Sequence, residues 1–308
     1  MSRRGATLIG FTAVLLWALL ALFTVETAPV PPFQLTALCF GIGAVTGLVW
    51  TGLTGGFGKL ARVPMAAYGF GIAGLFGYHF CYFTALRLAP PAQAGLIAYL
   101  WPLFIVLLAG LLPGERLSLT HIAGAVLAFA GVVLLVAGKF GGFGPTALPG
   151  YAMAFLCALI WSTYSVGSRR LGHVPTEAVT VFCAATAVLS TMAHLALEPT
   201  EWPQHALGWA AIAGLGLGPV GGAFFTWDIG MKRGDIQLLG TASYAAPLLS
   251  TLILIAAGFA PASPAILAAA GLIVAGAALA AWASARQRRL RAGALPSAGS
   301  DGRSLPSA

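Results

Sequence analysis

Apolar side chains run along this chain in long unbroken blocks. They show neither the strict alternation of a half-buried strand nor the one-sided stripe of a surface helix. Between charges and Gly/Pro clusters, ten blocks stand out: 5–25, 34–52, 65–88, 92–112, 119–137, 149–168, 177–196, 206–230, 236–257 and 264–285. Each is close to the roughly 20 residues a helix needs to cross the hydrocarbon of a bilayer. The connections are short and carry breakers: Pro29–Pro32, Gly55–Gly58, Pro90-Pro91, Pro113-Gly114, Gly141–Pro145, Pro199–Pro203 and Pro261–Pro264. The pattern predicts an all-α integral membrane protein with ten transmembrane helices. Residues 291–308, rich in Gly, Ser, Pro and Ala, read as a disordered cytoplasmic tail. Arg3 and Arg4 resemble the basic start of a signal peptide. The block behind them is too long and lacks a small-residue cleavage site, so it reads as the first span.

The blocks repeat. Around Gly95 the chain follows the pattern G-x-x-x-Y-x-x-P-L through Tyr99, Pro102 and Leu103. The same pattern returns 145 positions later through Gly240, Tyr244, Pro247 and Leu248. That offset also pairs Tyr82 with Trp227, Arg87 with Lys232 and Leu107 with Leu252, and an offset of 144 pairs Trp17 with Trp161. The reading is therefore a duplication, 1–145 and 146–290, with five helices per copy. Five is odd, so the second copy enters the membrane from the opposite face. Inverted repeats of this kind characterise secondary transporters, whose substrates bind near the midplane where the copies meet.

Charge strengthens this picture. Of 308 residues 59% are hydrophobic and 8% charged, against about 25% charged in soluble domains. A soluble enzyme and a disordered chain are both excluded. With the N-terminus inside, Arg87 and Lys139 are the only two of the 16 Lys/Arg residues on the outer face. That asymmetry places both termini in the cytoplasm. The net charge of +8 fits attraction to anionic lipid. Nucleic-acid binding is not expected, because the basic runs lack stacking aromatics. Cys39, Cys81, Cys157 and Cys183 lie in apolar blocks without CxxC spacing, so neither a disulfide framework nor a metal site is expected.

No hydrolase, zinc-protease or P-loop motif occurs, so no catalytic residues, cofactor or metal are assigned. Asp228 sits beside Lys232 and Arg233 and reads as a structural ion pair. No other carboxylate lies deep enough for proton or sodium coupling, which favours passive exchange or facilitated export. What the midplane offers is aromatic. Tyr78, His79, Tyr82, Tyr99, Trp101 and Tyr244 are the leading candidates to line a substrate cavity. Trp17, Trp161, Tyr164, Phe224, Trp227 and Ser243 are their neighbours. Tyr hydroxyls at that depth need partners, and an aromatic cavity with a few polar handles suits a ring-bearing ligand. Pro102 and Pro247 sit mid-span at matching positions and read as hinges for alternating access. They would leave the carbonyls of Ala98 and Ser243 without helical donors.

The ten-block, two-copy pattern resembles the drug/metabolite transporter superfamily, EamA type. The residues carrying the resemblance are Gly114-Glu115-Arg116-Leu117, then Gly124 and Gly131, with Pro102 upstream. The second copy departs, with Ala260 and Pro261 where Glu115 and Arg116 would map. Within the superfamily, the Tyr78-His79, Tyr99-x-Trp101 and Ser243-Tyr244 set is most similar to exporters of aromatic amino acids. The resemblance implies export of aromatic and other neutral amino acids across the bacterial inner membrane. Other EamA-type substrates stay open. A cationic drug would call for a buried carboxylate and a phosphate-bearing substrate for buried cations, and the midplane has neither. An integral-membrane enzyme is the reading from a different class, but the His/Asp/Glu cluster it would need is not seen.

Overall fold

The computed structural model of the protein describes residues 1–137, 144–259 and 261–293. Lys139, Ala260 and the tail beyond Gly293 therefore lie outside the described residues. Among those described, every regular element is helical: α1 Arg3–Ala18, α2 Leu20–Val25, α3 Pro32–Leu53, α4 Phe57–Leu60, α5 Met65–Leu88, α6 Pro91–Ala98, α7 Trp101–Ala109, α8 Leu119–Val136, α9 Leu148–Arg170, α10 Ala178–Leu197, α11 Ala206–Leu217, α12 Gly222–Arg233, α13 Ile236–Ala242, α14 Ala245–Ala256 and α15 Pro264–Gly293. The last helix continues past Arg291 to Gly293, so the break expected at 291 is not where the helix ends.

Counting broken helices as one, nine of these stretches are long and apolar enough to cross a membrane. α5 has the length, at 24 residues, but carries Tyr68, Tyr78, His79 and Tyr82 and is correspondingly less apolar. Helix ends follow local chemistry. Ser2 and Ser118 cap α1 and α8 through their hydroxyls, and proline opens α3 and α6 at their first positions, where a missing N–H is harmless.

Four crossings are interrupted. α1 gives way to α2 at Leu19, α6 to α7 at Tyr99-Leu100, α11 to α12 at Gly218–Gly221, and α13 to α14 at Ser243-Tyr244. The two motif prolines, expected from the sequence to kink continuous helices mid-span, do not do so. Each falls in the first turn of the second half-helix, Pro102 in α7 and Pro247 in α14, where the ring's fixed φ starts a helix. Nor is the Ser243 carbonyl orphaned. The chain tightens there, and the Ala246 N–H donates to it at 3.1 Å.

The packing of the halves is reciprocal. α1 lies along α12 as α9 lies along α5, α3 lies along α10, and α8 lies along α15. Close approach depends on small residues. A Cβ on Gly10 would sit 2.8 Å from the Gly230 Cα, so α1 and α12 meet backbone to backbone. A Cβ on Gly124 would lie 2.7 Å from the Gly276 carbonyl oxygen, and one on Gly131 would lie 2.9 Å from that of Ala269. The earlier α8 residue thus meets the later α15 residue and the reverse, so the two helices run antiparallel. Gly124 and Ala269 are 145 apart, as are Gly131 and Gly276, so exchanging the halves maps this seam onto itself.

Ion pairs gather at the two ends of the bundle. At one end Arg3 pairs with Glu115 at 3.1 Å, Arg169 donates to the Gly234 carbonyl at 2.6 Å, and the Asp235 N–H donates to the Thr7 hydroxyl at 2.8 Å. Lys59–Glu177 (2.6 Å) and Lys232–Asp228 (2.9 Å) lie at the same end. Asp228 also accepts from Thr176 at 2.8 Å, which makes it the structural pair expected. At the other end Glu198, its side chain wholly buried, accepts from the backbone N–H groups of Phe33 and Gln34, from Arg87 and from His194.

Candidate functional site: an aromatic cavity among the broken helices

The interruptions converge on one cavity of about 310 Å³. Its floor is built of Trp17, Trp101 and Trp161, with Trp227 packed behind them, so four different crossings contribute tryptophans. Trp17 of α1 touches Trp101 (ring centroids 5.9 Å apart), Trp161 (6.0 Å) and Trp227 (5.0 Å). The remaining pairs close the set: Trp101–Trp161 at 6.3 Å, Trp101–Trp227 at 5.9 Å and Trp161–Trp227 at 6.3 Å. Offset and edge-on contacts of this kind suit the ring quadrupoles. Two indole N–H groups are satisfied inside the protein. Trp17 donates to the Pro219 carbonyl at 3.1 Å, a group freed by the break between α11 and α12. Trp227 donates to the Ser165 hydroxyl at 3.0 Å.

The wall is α5. Tyr78, His79 and Tyr82 project into the cavity, with Tyr78 and Tyr82 one turn apart and their rings stacked at 6.0 Å. The His79 Nδ1 lies 2.8 Å from the Leu75 carbonyl, so in the neutral ring it donates there and leaves Nε2 as an acceptor. Phe224 closes one side, within 6.0 Å of His79 and 5.6 Å of Trp161. Tyr99 enters from the break between α6 and α7. Among the described residues, no Asp, Glu, Lys or Arg lines the cavity. Its polar groups are tyrosine hydroxyls, an imidazole, a thiol and threonine hydroxyls. The chamber is therefore shaped for a ring and neutral in net charge.

Eight of the residues picked from the sequence line this cavity: Trp17, Tyr78, His79, Tyr82, Tyr99, Trp101, Trp161 and Phe224. Four do not. Trp227 lies behind Trp17, and Tyr164 packs between Trp161 and Phe70. The Ser243 hydroxyl turns back onto the Leu239 carbonyl at 2.7 Å. Tyr244 crosses to the other half, where its hydroxyl accepts the Leu103 N–H at 3.1 Å. It thereby satisfies a donor that the break before α7 frees. The two motif tyrosines have parted: Tyr99 faces the cavity and Tyr244 braces it. Pro102 is buried outside the lining, and Pro247 is likewise outside it.

The sequence reading missed Thr24, Thr36, Phe83, Leu86 and the Pro219 break, all of which border the cavity. The run Gly214-Leu-Gly-Leu-Gly-Pro219-Val-Gly-Gly222 was the signal for that break. Leu20, Thr24, Leu35, Thr36 and Leu86 carry the cavity away from Arg3 and Asp235 toward the end held by Glu198.

The chain matches the EamA-like transporter family twice, over residues 4–137 and 148–282. The protein belongs to the EamA-like transporter family. The family model thus matches the chain as two repeats. Among relatives of this EamA-like transporter, the aromatic amino acid exporter YddG of Ancylobacter novellus is 58% identical over 283 residues, spanning 91% of this chain and 98% of the relative. The exporters of the same name from Salmonella typhimurium and Escherichia coli are 25% and 26% identical, covering 82% and 93% of this chain and 88% and 100% of theirs. A solved crystal structure that is 57% identical superposes with a TM-score of 0.87, covering 91% of this chain and 98% of that one. The protein is a multi-pass membrane transporter of a bacterial exporter family.

Proposed function

We propose that this transporter exports aromatic and other neutral amino acids across the bacterial inner membrane by alternating access. It carries ten membrane-crossing helices in two inverted five-helix repeats, 1–145 and 146–290, with both termini in the cytoplasm. α5 is the tenth crossing, polar because it walls the cavity. The observation that carries the substrate reading is the uncharged aromatic chamber floored by Trp17, Trp101 and Trp161 and backed by Trp227. A zwitterionic amino acid adds no net charge, and its ring is matched by indole and phenol faces. The 58% identical relative bears the name of an aromatic amino acid exporter, which supports the same class. The antiparallel, self-mapping seam of α8 and α15 supports inversion, because a twofold axis that relates antiparallel helices lies across them, in the membrane plane. The cavity extends toward the Glu198 end, which supports reading the state as outward-facing. The protein acts as a carrier and leaves its substrate chemically unchanged.

The decisive experiment is counterflow of labelled Phe, Trp, Leu and Glu in proteoliposomes, with and without a pH gradient. Phe and Trp are expected to exchange and Glu not. Removing a buried aromatic anchor costs about 2 kcal/mol of binding, roughly thirtyfold. Trp101→Ala is therefore expected to depress Phe exchange by that order while the protein still reaches the membrane at normal amounts. Unchanged exchange in Trp101→Ala and Tyr78→Ala would make these rings packing groups and remove the proposed site. Orientation is tested separately. A reporter after Arg291 should read cytoplasmic and one within 198–205 periplasmic, and a result with both on one side would end the inverted-repeat reading.

A further inference from the structure

A second hollow lies on the outside of the bundle. α5 and α7 both pack on α9 and leave between them a cleft of about 490 Å³. Its walls are Phe70, Leu108, Leu111, Thr163 and Gly167, and Arg170 stands at one end. The cleft shares no lining residue with the transport cavity. Phe155, Leu156 and Leu159 form an exposed apolar stripe along α9, and Thr163 and Arg170 continue that stripe at helical spacing. Leu111, in the turn just beyond α7, is 71% exposed. An apolar stripe of this kind on a membrane helix is where acyl chains lie.

The cleft does not end in water alone. Around Pro64 it adjoins a smaller hollow of about 230 Å³ lined by Lys59, Arg62 and His173. Lys59 is engaged by Glu177 at 2.6 Å. Among the described residues, Arg62 and Arg170 have no ion-pair partner. Arg170 thus stands at the end of the apolar slot, and Arg62 and His173 line the hollow that adjoins it at Pro64. This is the layout of an anionic phospholipid, with acyl chain below and phosphate above. Arginine matches phosphate in a bidentate fork, and basic pockets between membrane helices select acidic headgroups.

We propose that the α5/α7/α9 cleft binds one anionic phospholipid, its acyl chain between Phe70 and Leu111 and its phosphate on Arg62 and Arg170. The site is separate from the transport cavity, being set on the opposite face of α9 from Trp161. It requires membrane embedding and is independent of what the protein exports.

Native mass spectrometry of the full-length protein in mild detergent tests this, with phosphatidylglycerol and phosphatidylcholine of identical chains as probes. The wild-type protein is expected to keep one phosphatidylglycerol in preference to phosphatidylcholine. Two surface cations each contribute about 1 kcal/mol, so Arg62→Gln/Arg170→Gln should reduce that preference by about thirtyfold. The control Arg4→Gln/Arg233→Gln removes the same charge from the same end and should leave the preference in place. Thr163→Trp fills the slot without touching a charge and should also release the lipid. Melting curves in lipid-free detergent confirm that each variant is folded. Equal loss in the control pair would mean general charge attraction and overturn the site. Unchanged retention in Arg62→Gln/Arg170→Gln, or displacement of the lipid by millimolar inorganic phosphate, would overturn it too. Retention in Thr163→Trp would remove the acyl-chain slot.

Discussion

Glu198→Ala should melt far below the wild type in detergent. The carboxylate is completely buried and receives the N–H groups of Phe33 (3.0 Å) and Gln34 (3.1 Å), the Arg87 guanidinium and the His194 ring at 3.1 Å. It therefore caps α3, fixes the end of α5 and closes the end of α10 on itself. Alanine would strand two helix-terminal donors and release the partly exposed Arg87 guanidinium. Loss of one member of such a buried cluster costs about 3 kcal/mol. Glu198→Gln keeps one acceptor oxygen and should fall in between. A melting temperature for Glu198→Ala equal to that of the wild type would show that the three helices are held by packing alone.

The second large effect is steric. Gly124→Leu should prevent α8 from seating on α15, because its first side-chain atom already lies 2.7 Å from the Gly276 oxygen and 3.2 Å from the Ala280 nitrogen. Forcing extra carbons into such a contact costs about 3 kcal/mol and shifts backbone. Gly276→Leu should do the same from the other side, against Ala128 at 2.8 Å. Both variants should elute as broad, aggregated species on size exclusion. Gly271 on α15 has open space where a Cβ would stand, with nothing within 4 Å, so Gly271→Ala should be neutral or mildly stabilising through helix propensity. Monodisperse Gly124→Leu with normal melting would mean the seam can open without loss.

The crossings were legible because bilayer thickness imposes a length that shows directly in apolar blocks. Every block found in the sequence contains a helix or a pair of half-helices, with ends shifted by a few residues. The duplication was legible because Tyr99 and Tyr244 kept their neighbours Pro102 and Pro247. What the sequence concealed was geometry within a crossing. A proline that begins a half-helix and one that kinks a whole helix look alike in a string of letters. The difference is decided by whether the preceding turn finds other donors, as at Ser243 and Ala246. The parting of Tyr99 and Tyr244 was hidden for a similar reason. Their local patterns match, and only the crossing of α7 by α13 turns one hydroxyl onto Leu103. Nothing near Glu198 in the sequence announces its partners at Phe33 and Arg87.

The tryptophan floor has a spectroscopic consequence. Four of the eight tryptophans in the chain stand within one another's reach there, at centroid distances of 5.0 to 6.3 Å. Rings this close share excitation, so their near-ultraviolet circular dichroism is that of a coupled set rather than of four isolated indoles. Any rearrangement that opens the floor separates the crossings from which the rings come. The protein thus carries, without a label, an optical signal of any such rearrangement.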